Sequence, residues 1–174
     1  DFGGRCDETC ARHCEYYMKF AAEHETKLKS AAQQESMREL TVELNNLRAA
    51  WMWGVEHDKF DSVGKAVRLF GWYYEVASLI HEGIEQMELL VRALRDKPRK
   101  KQTDRILGAG LVQLGLLCFR SGDFARATEL YDQAIAILRT VNEHALLADA
   151  LIFSGSIRHL SGAYLESKKL IEEG

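Results

Sequence analysis

Proline is nearly missing from this chain of 174 residues, since it occurs only once, at Pro98. β-Branched residues are also sparse beside alanine, leucine, glutamate, lysine, arginine and glutamine. Proline removes a backbone donor and β-branched side chains lower helix propensity, so a sequence poor in both favours helix throughout. Apolar residues make up 47% of the chain, which is ample for a core. The composition therefore predicts an all-α protein.

Long apolar runs and a charge of one sign are lacking as well. No run approaches the roughly 20 residues that span a bilayer, and the chain opens with neither an initiator methionine nor a signal peptide. We therefore expect a cytoplasmic piece of a longer polypeptide that has no contact with membrane. The 23 basic and 26 acidic residues give a net charge of −3, so no global positive field can hold nucleic acid. The basic run from Arg95 to Arg105 is interrupted by two aspartates and lacks aromatic neighbours, as is typical of a solvated loop.

Catalytic motifs are represented only by fragments. Asp1-Phe2-Gly3 is similar to a kinase motif, but no glycine-rich phosphate loop or catalytic loop accompanies it. The segment from His81 to Glu85 lacks the second histidine of a zinc-protease helix. No Gly-Lys-Ser/Thr phosphate loop occurs, so the ATP site of a parent ATPase would lie outside this segment. We predict that the chain is not an enzyme and holds no cofactor.

The four cysteines form one group and one isolated residue. Cys6, Cys10 and Cys14 are spaced by four, and Cys118 lies in an apolar helix. Thiols at this helical spacing are poorly aimed for a disulfide, and free thiols suit a reducing cytoplasm. With His13 the first three make a weak candidate metal site, but the spacing is not that of a zinc knuckle. A half-buried stripe of thiols is the favoured interpretation, and no metal is predicted.

Apolar residues recur at intervals of three and four along most of the chain, which predicts about eight helices. Asp61, Thr103 or Asp104 and Asn142 are the expected N-caps, a helix is expected to open at Asp123, and Pro98 marks a loop at 96–102. The predicted helices cover about 7–25, 33–57, 61–77, 80–95, 103–121, 123–140, 142–161 and the residues from 163 onward.

Small residues recur in three windows of the sequence. Gly71 and Ser78, Gly115 and Gly122, and Gly155 and Gly162 form pairs seven residues apart, and the first members are separated by 44 and 40 residues. Two helices cross closely only where one supplies a small residue, and a corner needs a residue that tolerates the left-handed region. We therefore predict N-terminal helices at 1–58 and repeats at 59–174. The repeats cover about 64–97, 108–141 and 148–174, the last one truncated.

One window carries a specific resemblance. The segment from Leu111 to Cys118, followed by Gly122-Asp123-Phe124, Ala127, Tyr131 and Ala134, resembles a tetratricopeptide repeat. Leu111 stands in place of the usual tryptophan of that repeat and Cys118 in place of tyrosine. The resemblance implies a right-handed α-solenoid of antiparallel helix hairpins.

The N-terminal part adds a second resemblance. Arg12-His13, Tyr16-Tyr17 and the stretch from Glu43 to Trp51 are similar to a segment of bacterial STAND-type signal-transduction ATPases, which include LuxR-family and SARP-type regulators. This resemblance implies a non-catalytic binding or sensor module of a larger bacterial signalling or transcription regulator, in contact with other domains of its parent. A freestanding tetratricopeptide scaffold is one alternative, and a thiol-based metal or redox sensor is another.

The resemblance also implies a site, because the first helix of each hairpin lines the concave face of such arrays. A protein, a peptide or a small effector is expected there. Trp72 could anchor this ligand or belong to the core, and several groove residues could instead contact the next repeat. The implied groove residues are Arg68, Trp72 and Glu75 in the first hairpin, Val112, Leu116, Phe119 and Arg120 in the second, and Asp149, Ile152, Ser156 and His159 in the third.

Overall fold

The structure is a computed structural model that describes residues 2–28 and 30–174, with side chains from residue 7 onward. All regular elements in these ranges are helices, which confirms the all-α prediction, but they number ten rather than about eight. The chain divides into two compact units, residues 1–73 and 74–174. The predicted segment 1–58 lies in the first unit, and the predicted repeat 64–97 belongs to both. None of the described helices is sufficiently long and apolar to cross a membrane.

The first unit is built around the longest helix of the chain. It packs against each of the three helices that follow it in the sequence. Trp51 is fully buried and stacks on Phe70, with 4.4 Å between the ring centroids. The helices are α1 (Phe2–Leu28), α2 (Gln33–Val42), α3 (Leu44–Glu56), α4 (Phe60–Val63) and α5 (Val67–Val76), the last of which ends in the second unit.

The second unit contains five further helices that pack in chain order. Each of them contacts the next, and the second and fourth also contact each other. The second helix is buried on every side over the stretch from Ile106 to Cys118, which makes it the centre of the unit. The helices are α6 (Ile80–Arg95), α7 (Lys101–Ser121), α8 (Phe124–Val141), α9 (His144–Leu160) and α10 (Tyr164–Glu173).

Two of the predicted helices are wrong because each is interrupted. The predicted helix 33–57 breaks at Glu43, whose carboxylate accepts hydrogen bonds from the Tyr17 hydroxyl at 2.8 Å and the Asn46 amide at 2.7 Å. The predicted helix 61–77 breaks into α4 and α5 around Gly64, where i→i−3 hydrogen bonds tighten the chain. Asp61 is not an N-cap, because it lies inside α4 and Lys59 occupies the N-cap position of that helix.

The other predicted boundaries are partly confirmed. The side chain of Asp123 caps α8 by accepting from the Arg126 amide at 3.1 Å, and α6 has the predicted bounds. Thr103 and Asp104 are not caps, since α7 begins at Lys101 and the loop before it is shorter than predicted. Asn142 is not the N-cap of α9, because it adopts a left-handed conformation at the end of α8.

Left-handed corners end several helices. Gly122 and Gly162 have φ values of 88° and 84°, as predicted, and Ser78, Asp58 and Asn142 share this region with φ of 57–58°. After each corner the next amide lies 2.8–3.5 Å from the carbonyl oxygen five positions earlier. This hydrogen bond satisfies a carbonyl group that has no partner within the helix. The same type of C-terminal cap therefore ends the helix at each of these corners.

The predicted close contacts at Gly115 and Gly155 are confirmed. A Cβ added at Gly115 would lie 3.0 Å from the ring of Tyr131, so α7 and α8 approach closely there. A Cβ at Gly155 would lie 2.8 Å from Cγ1 of Ile171 on α10. The side of α7 and α9 that carries the glycines therefore packs on the helix that follows each of them.

Candidate functional site

Arg68 and Trp72, the first of the implied groove residues, lie in the first unit. The Trp72 ring is half-buried, and the Arg68 guanidinium carbon lies 5.6 Å from its centroid. Arg68 Nε also lies 3.2 Å from a carboxylate oxygen of Glu25. The Arg68 charge is therefore compensated within the unit, and the Trp72 ring is neither fully buried nor freely exposed.

The neighbouring aromatic residues show how α5 is packed. Phe70 and Tyr74 are buried, as their spacing of four predicts. Tyr73, which adjoins Tyr74 on α5, is buried as well. Its hydroxyl lies 3.3 Å from Thr41 Oγ1, which provides a polar partner inside the first unit.

The groove residues of α7 belong to two environments. Val112 and Leu116 are only 1% and 2% exposed, so they are part of the packed interior of the second unit. Phe119 is half-buried and Arg120 is exposed. The Phe119 ring lies 5.4 Å from the Phe124 ring, and the Arg120 guanidinium carbon lies 5.8 Å from the Phe119 ring. The accessible part of α7 at this register is therefore its last turn.

An ion pair joins this last turn to the end of α5. Arg120 Nε donates to Glu75 Oε1 at 2.6 Å, and both residues belong to the second unit. About half of the Arg120 side chain remains accessible, so water screens the pair and it adds little to stability. A partly solvated pair of this kind can exchange one of its partners for a charged group of a ligand.

The four implied residues of α9 are accessible to different degrees. Ile152 is 45% exposed and His159 is also exposed, whereas Asp149 and Ser156 are half-buried. The Ser156 hydroxyl donates to the Ile152 carbonyl at 2.8 Å, which leaves its oxygen as an acceptor. The His159 ring lies 5.0 Å from that of Tyr164. This face of α9 combines apolar and polar groups that a ligand could contact.

Tyr131 is a functional candidate that the sequence did not indicate. Its side chain is fully buried on α8, and its hydroxyl has no hydrogen-bond partner among the described residues. Burial raises the pKa of Tyr131, the charge of Glu75 raises it further, and the charge of Arg120 lowers it. The ring packs over Gly115, where a Cβ would lie 3.0 Å from it, and the repeat pattern asks only for an aromatic residue there. The repeat pattern in the sequence therefore predicts an aromatic core residue at position 131. It does not indicate that the hydroxyl of this residue is buried without a hydrogen-bond partner.

Cys6, the first residue of the predicted thiol stripe, lies outside the described side chains. Cys10 is half-buried and Cys14 is buried. Burial raises the pKa of the Cys14 thiol and also that of Cys118, so little reactive thiolate forms at neutral pH. No three histidine, cysteine or acidic residues among the described side chains are arranged to hold a metal ion.

The basic loop is partly neutralised by nearby acids. Arg99 Nε lies 2.5 Å from Asp104 Oδ1, and Arg105 Nε lies 2.7 Å from Glu143 Oε1. These pairs reduce the positive field that the sequence run alone would present to an anionic polymer.

Non-covalent binding is the chemistry that the groove residues of the second unit can support. The accessible set has apolar surface at Phe119 and Ile152, and polar groups at Arg120, Glu75 and His159. Such a mixture is typical of ligand surfaces, in which a few polar groups orient an apolar contact. Comparisons with models of protein families, with curated proteins and with solved structures find no significant match to this chain.

Proposed function

We propose that the chain is a non-catalytic binding module whose working surface is formed by α7, α9 and the end of α5 in the second unit. One observation carries the proposal. The glycine side of α7 and of α9 packs on the following helix through Gly115 and Gly155, while Arg120, Ile152 and His159 at the implied groove register stay accessible. Since α7 and α9 also contact each other, the two helices can present these residues on adjoining surfaces.

A tetratricopeptide-like array of hairpins is the arrangement that we propose for these helices. Gly122, Asn142 and Gly162 are left-handed corners 20 residues apart, and Asp58 and Ser78 share this spacing. An array of helix hairpins requires corners at a regular interval, because each repeat must reverse the chain at the same point. The contact between α7 and α9, in addition to those between consecutive helices, supports the same arrangement.

The ligand that we propose is a peptide segment or a small effector with one apolar group. Its apolar group would contact Ile152 and Phe119, and its charged group would compete within the pair of Arg120 and Glu75. We further propose, from the resemblance of the residues between Arg12 and Trp51, that the module serves a larger cytoplasmic regulator of bacteria. The full coding sequence tests this last step, because a regulator extends into a phosphate-binding loop and a freestanding scaffold does not.

The binding surface can be tested before its natural partner is known. Peptides are selected from a random library on the intact chain, and their affinities are measured by calorimetry. We expect Arg120→Ala and Ile152→Asp to weaken the selected peptides by about 2 kcal/mol, the usual threshold for an anchor residue. Ala136→Asp, at an exposed position of α8, is the matched control and should leave the affinity unchanged. Equal binding by the groove variants and the control would contradict the proposed surface.

A further inference from the structure

A cavity lies between α6 and α8, and none of its lining residues belongs to the proposed binding surface. It has a volume of about 350 Å³, which is at the lower end of the range for small-molecule sites. Its apolar floor is formed by Val91, Leu114 and Leu130, all of which are buried. These side chains keep little exposed surface of their own, so an apolar ligand group would gain about 25 cal/mol per Å² mainly from its own surface that leaves water.

Three arginines stand around this floor, and we name the cavity the arginine cleft after Arg92, Arg95 and Arg126. Arg126 is bound by Glu88 through a short ion pair, which holds the pKa of Arg126 above its usual range. The charge of Arg126 is therefore compensated by Glu88, and its side chain forms part of the wall of the arginine cleft.

The other two arginines are not compensated in this way. Arg95 Nη2 donates at 2.5 Å to the amide oxygen of Gln133, a neutral acceptor that leaves the full positive charge of Arg95 in place. Arg92 is exposed and forms no ion pair with the described residues. Both residues project from α6 three positions apart, so they lie on one side of that helix. A planar guanidinium group recognises a carboxylate through two parallel hydrogen bonds.

The acidic residues of the cleft limit the charge of a ligand. Glu129 is exposed on α8 and lines the cleft together with Glu88. The lining holds three arginines and two glutamates, which leaves one net positive charge. One negative charge is therefore attracted, whereas a second one would be repelled by Glu129.

We propose that the arginine cleft binds a small amphipathic carboxylate, which places one anionic group between Arg92 and Arg95 and its apolar chain on the floor of Val91, Leu114 and Leu130. This site goes beyond the proposed function, because its residues are distinct from those of the groove on α5, α7 and α9. Each site can fail in its test without affecting the other.

Hexanoate is the probe that tests the proposal, and its binding to the intact chain is followed by amide chemical shifts. We expect saturable shifts in α6 and α8. Hexanol, which has the chain without the charge, and acetate, which has the charge without the chain, should each bind at least tenfold more weakly. Absence of saturable hexanoate binding would overturn the proposal, and so would acetate binding as tightly as hexanoate.

Substitutions then separate the cleft from non-specific attraction. The double variant Arg92→Gln with Arg95→Gln should weaken hexanoate at least tenfold. Arg139→Gln, which removes a cation paired with Glu173 on α10, is the matched control and should leave binding unchanged. Glu129→Gln should tighten binding several-fold, and this gain cannot arise from misfolding. Unchanged affinity in the double variant or in Glu129→Gln would contradict the assignment.

Discussion

The three tryptophans of the first unit lie in different surroundings, although two of them are separated by a single residue. Trp51 is fully buried against Phe70, whereas Trp53 is half-buried and stacks on His57 with 4.3 Å between the ring centroids. A step of two residues along a helix turns the side chain by roughly 200°. The two rings of α3 therefore face opposite sides, and only one of them contributes to the core.

Trp51 and Trp72 provide a matched pair for a stability test. We expect Trp51→Ala to lower the free energy of unfolding by about 3–5 kcal/mol, because it empties a fully buried site. Trp72→Ala should cost clearly less, since the Trp72 ring is partly accessible beneath Arg68. Urea denaturation measures both. Equal losses would mean that Trp72 is a core residue and would exclude it as an anchor for a ligand.

Glu39 links α2 to the buried His24 of α1. His24 Nε2 lies 2.6 Å from Glu39 Oε2, and Lys27 Nζ lies 3.6 Å from the same oxygen. The hydrogen bond with His24 is the main cause that lowers the pKa of Glu39 below its ordinary 4.5. A lowered folded-state pKa contributes stability above the unfolded value, and this contribution is lost as the pH falls through the folded-state value.

The expected result is a pH-dependent effect of Glu39→Gln. At pH 6 the variant should be less stable than the parent chain, and the difference should shrink as the pH falls below about 4.5. Urea denaturation at several pH values measures this difference. Glu85→Gln, at an exposed position of α6, should show little difference at any pH. A constant effect of Glu39→Gln down to pH 3 would show that its carboxylate charge is not responsible.

At the scale of the elements, the contact of α7 with α8 depends on a missing side chain. Gly115→Leu must displace the Tyr131 ring, because even a Cβ at this position would lie 3.0 Å from ring carbons. We expect a loss of about 1–3 kcal/mol or more, the usual cost of overpacking. Ala136→Leu adds the same side chain at an exposed position of α8 and should be nearly neutral. Similar melting temperatures for the two variants would argue against the observed register of α7 and α8.

Helix bounds could be predicted where the determining residues are local. The bounds of α6 agree with the prediction because Pro98 excludes helix beyond it and Ser78 forms the preceding corner. The break between α2 and α3 was not predicted, although the weak helix formers Thr41, Val42 and Asn45 lie close to Glu43. Its carboxylate is held by the Tyr17 hydroxyl of α1, and Tyr17 is 26 residues away in sequence. Such a contact exists only once the helices are packed.

At the scale of the whole molecule, the prediction that follows from the sequence concerns nucleotides. The chain contains no phosphate loop, and the arginine cleft is bordered by carboxylates that oppose a polyanion. We expect calorimetric titration with ATP to give no specific binding and an assay with ATP to give no hydrolysis. A stoichiometric ATP site would contradict the non-catalytic function and reopen the enzyme class.

The sequence by itself determined the helical class, the small residues at the close contacts of α7 and α9, and the glycine corners. Each of these depends on local propensity or on the size of one side chain. Only the tertiary structure decided which groove residues are accessible. Val112 and Ile152 occupy the same position relative to Gly115 and Gly155, yet Val112 is 1% exposed and Ile152 is 45% exposed. Both residues are apolar in the sequence, but the exposure of each depends on which distant helices flank its position. The lack of a hydrogen-bond partner for the Tyr131 hydroxyl is likewise a result of tertiary packing.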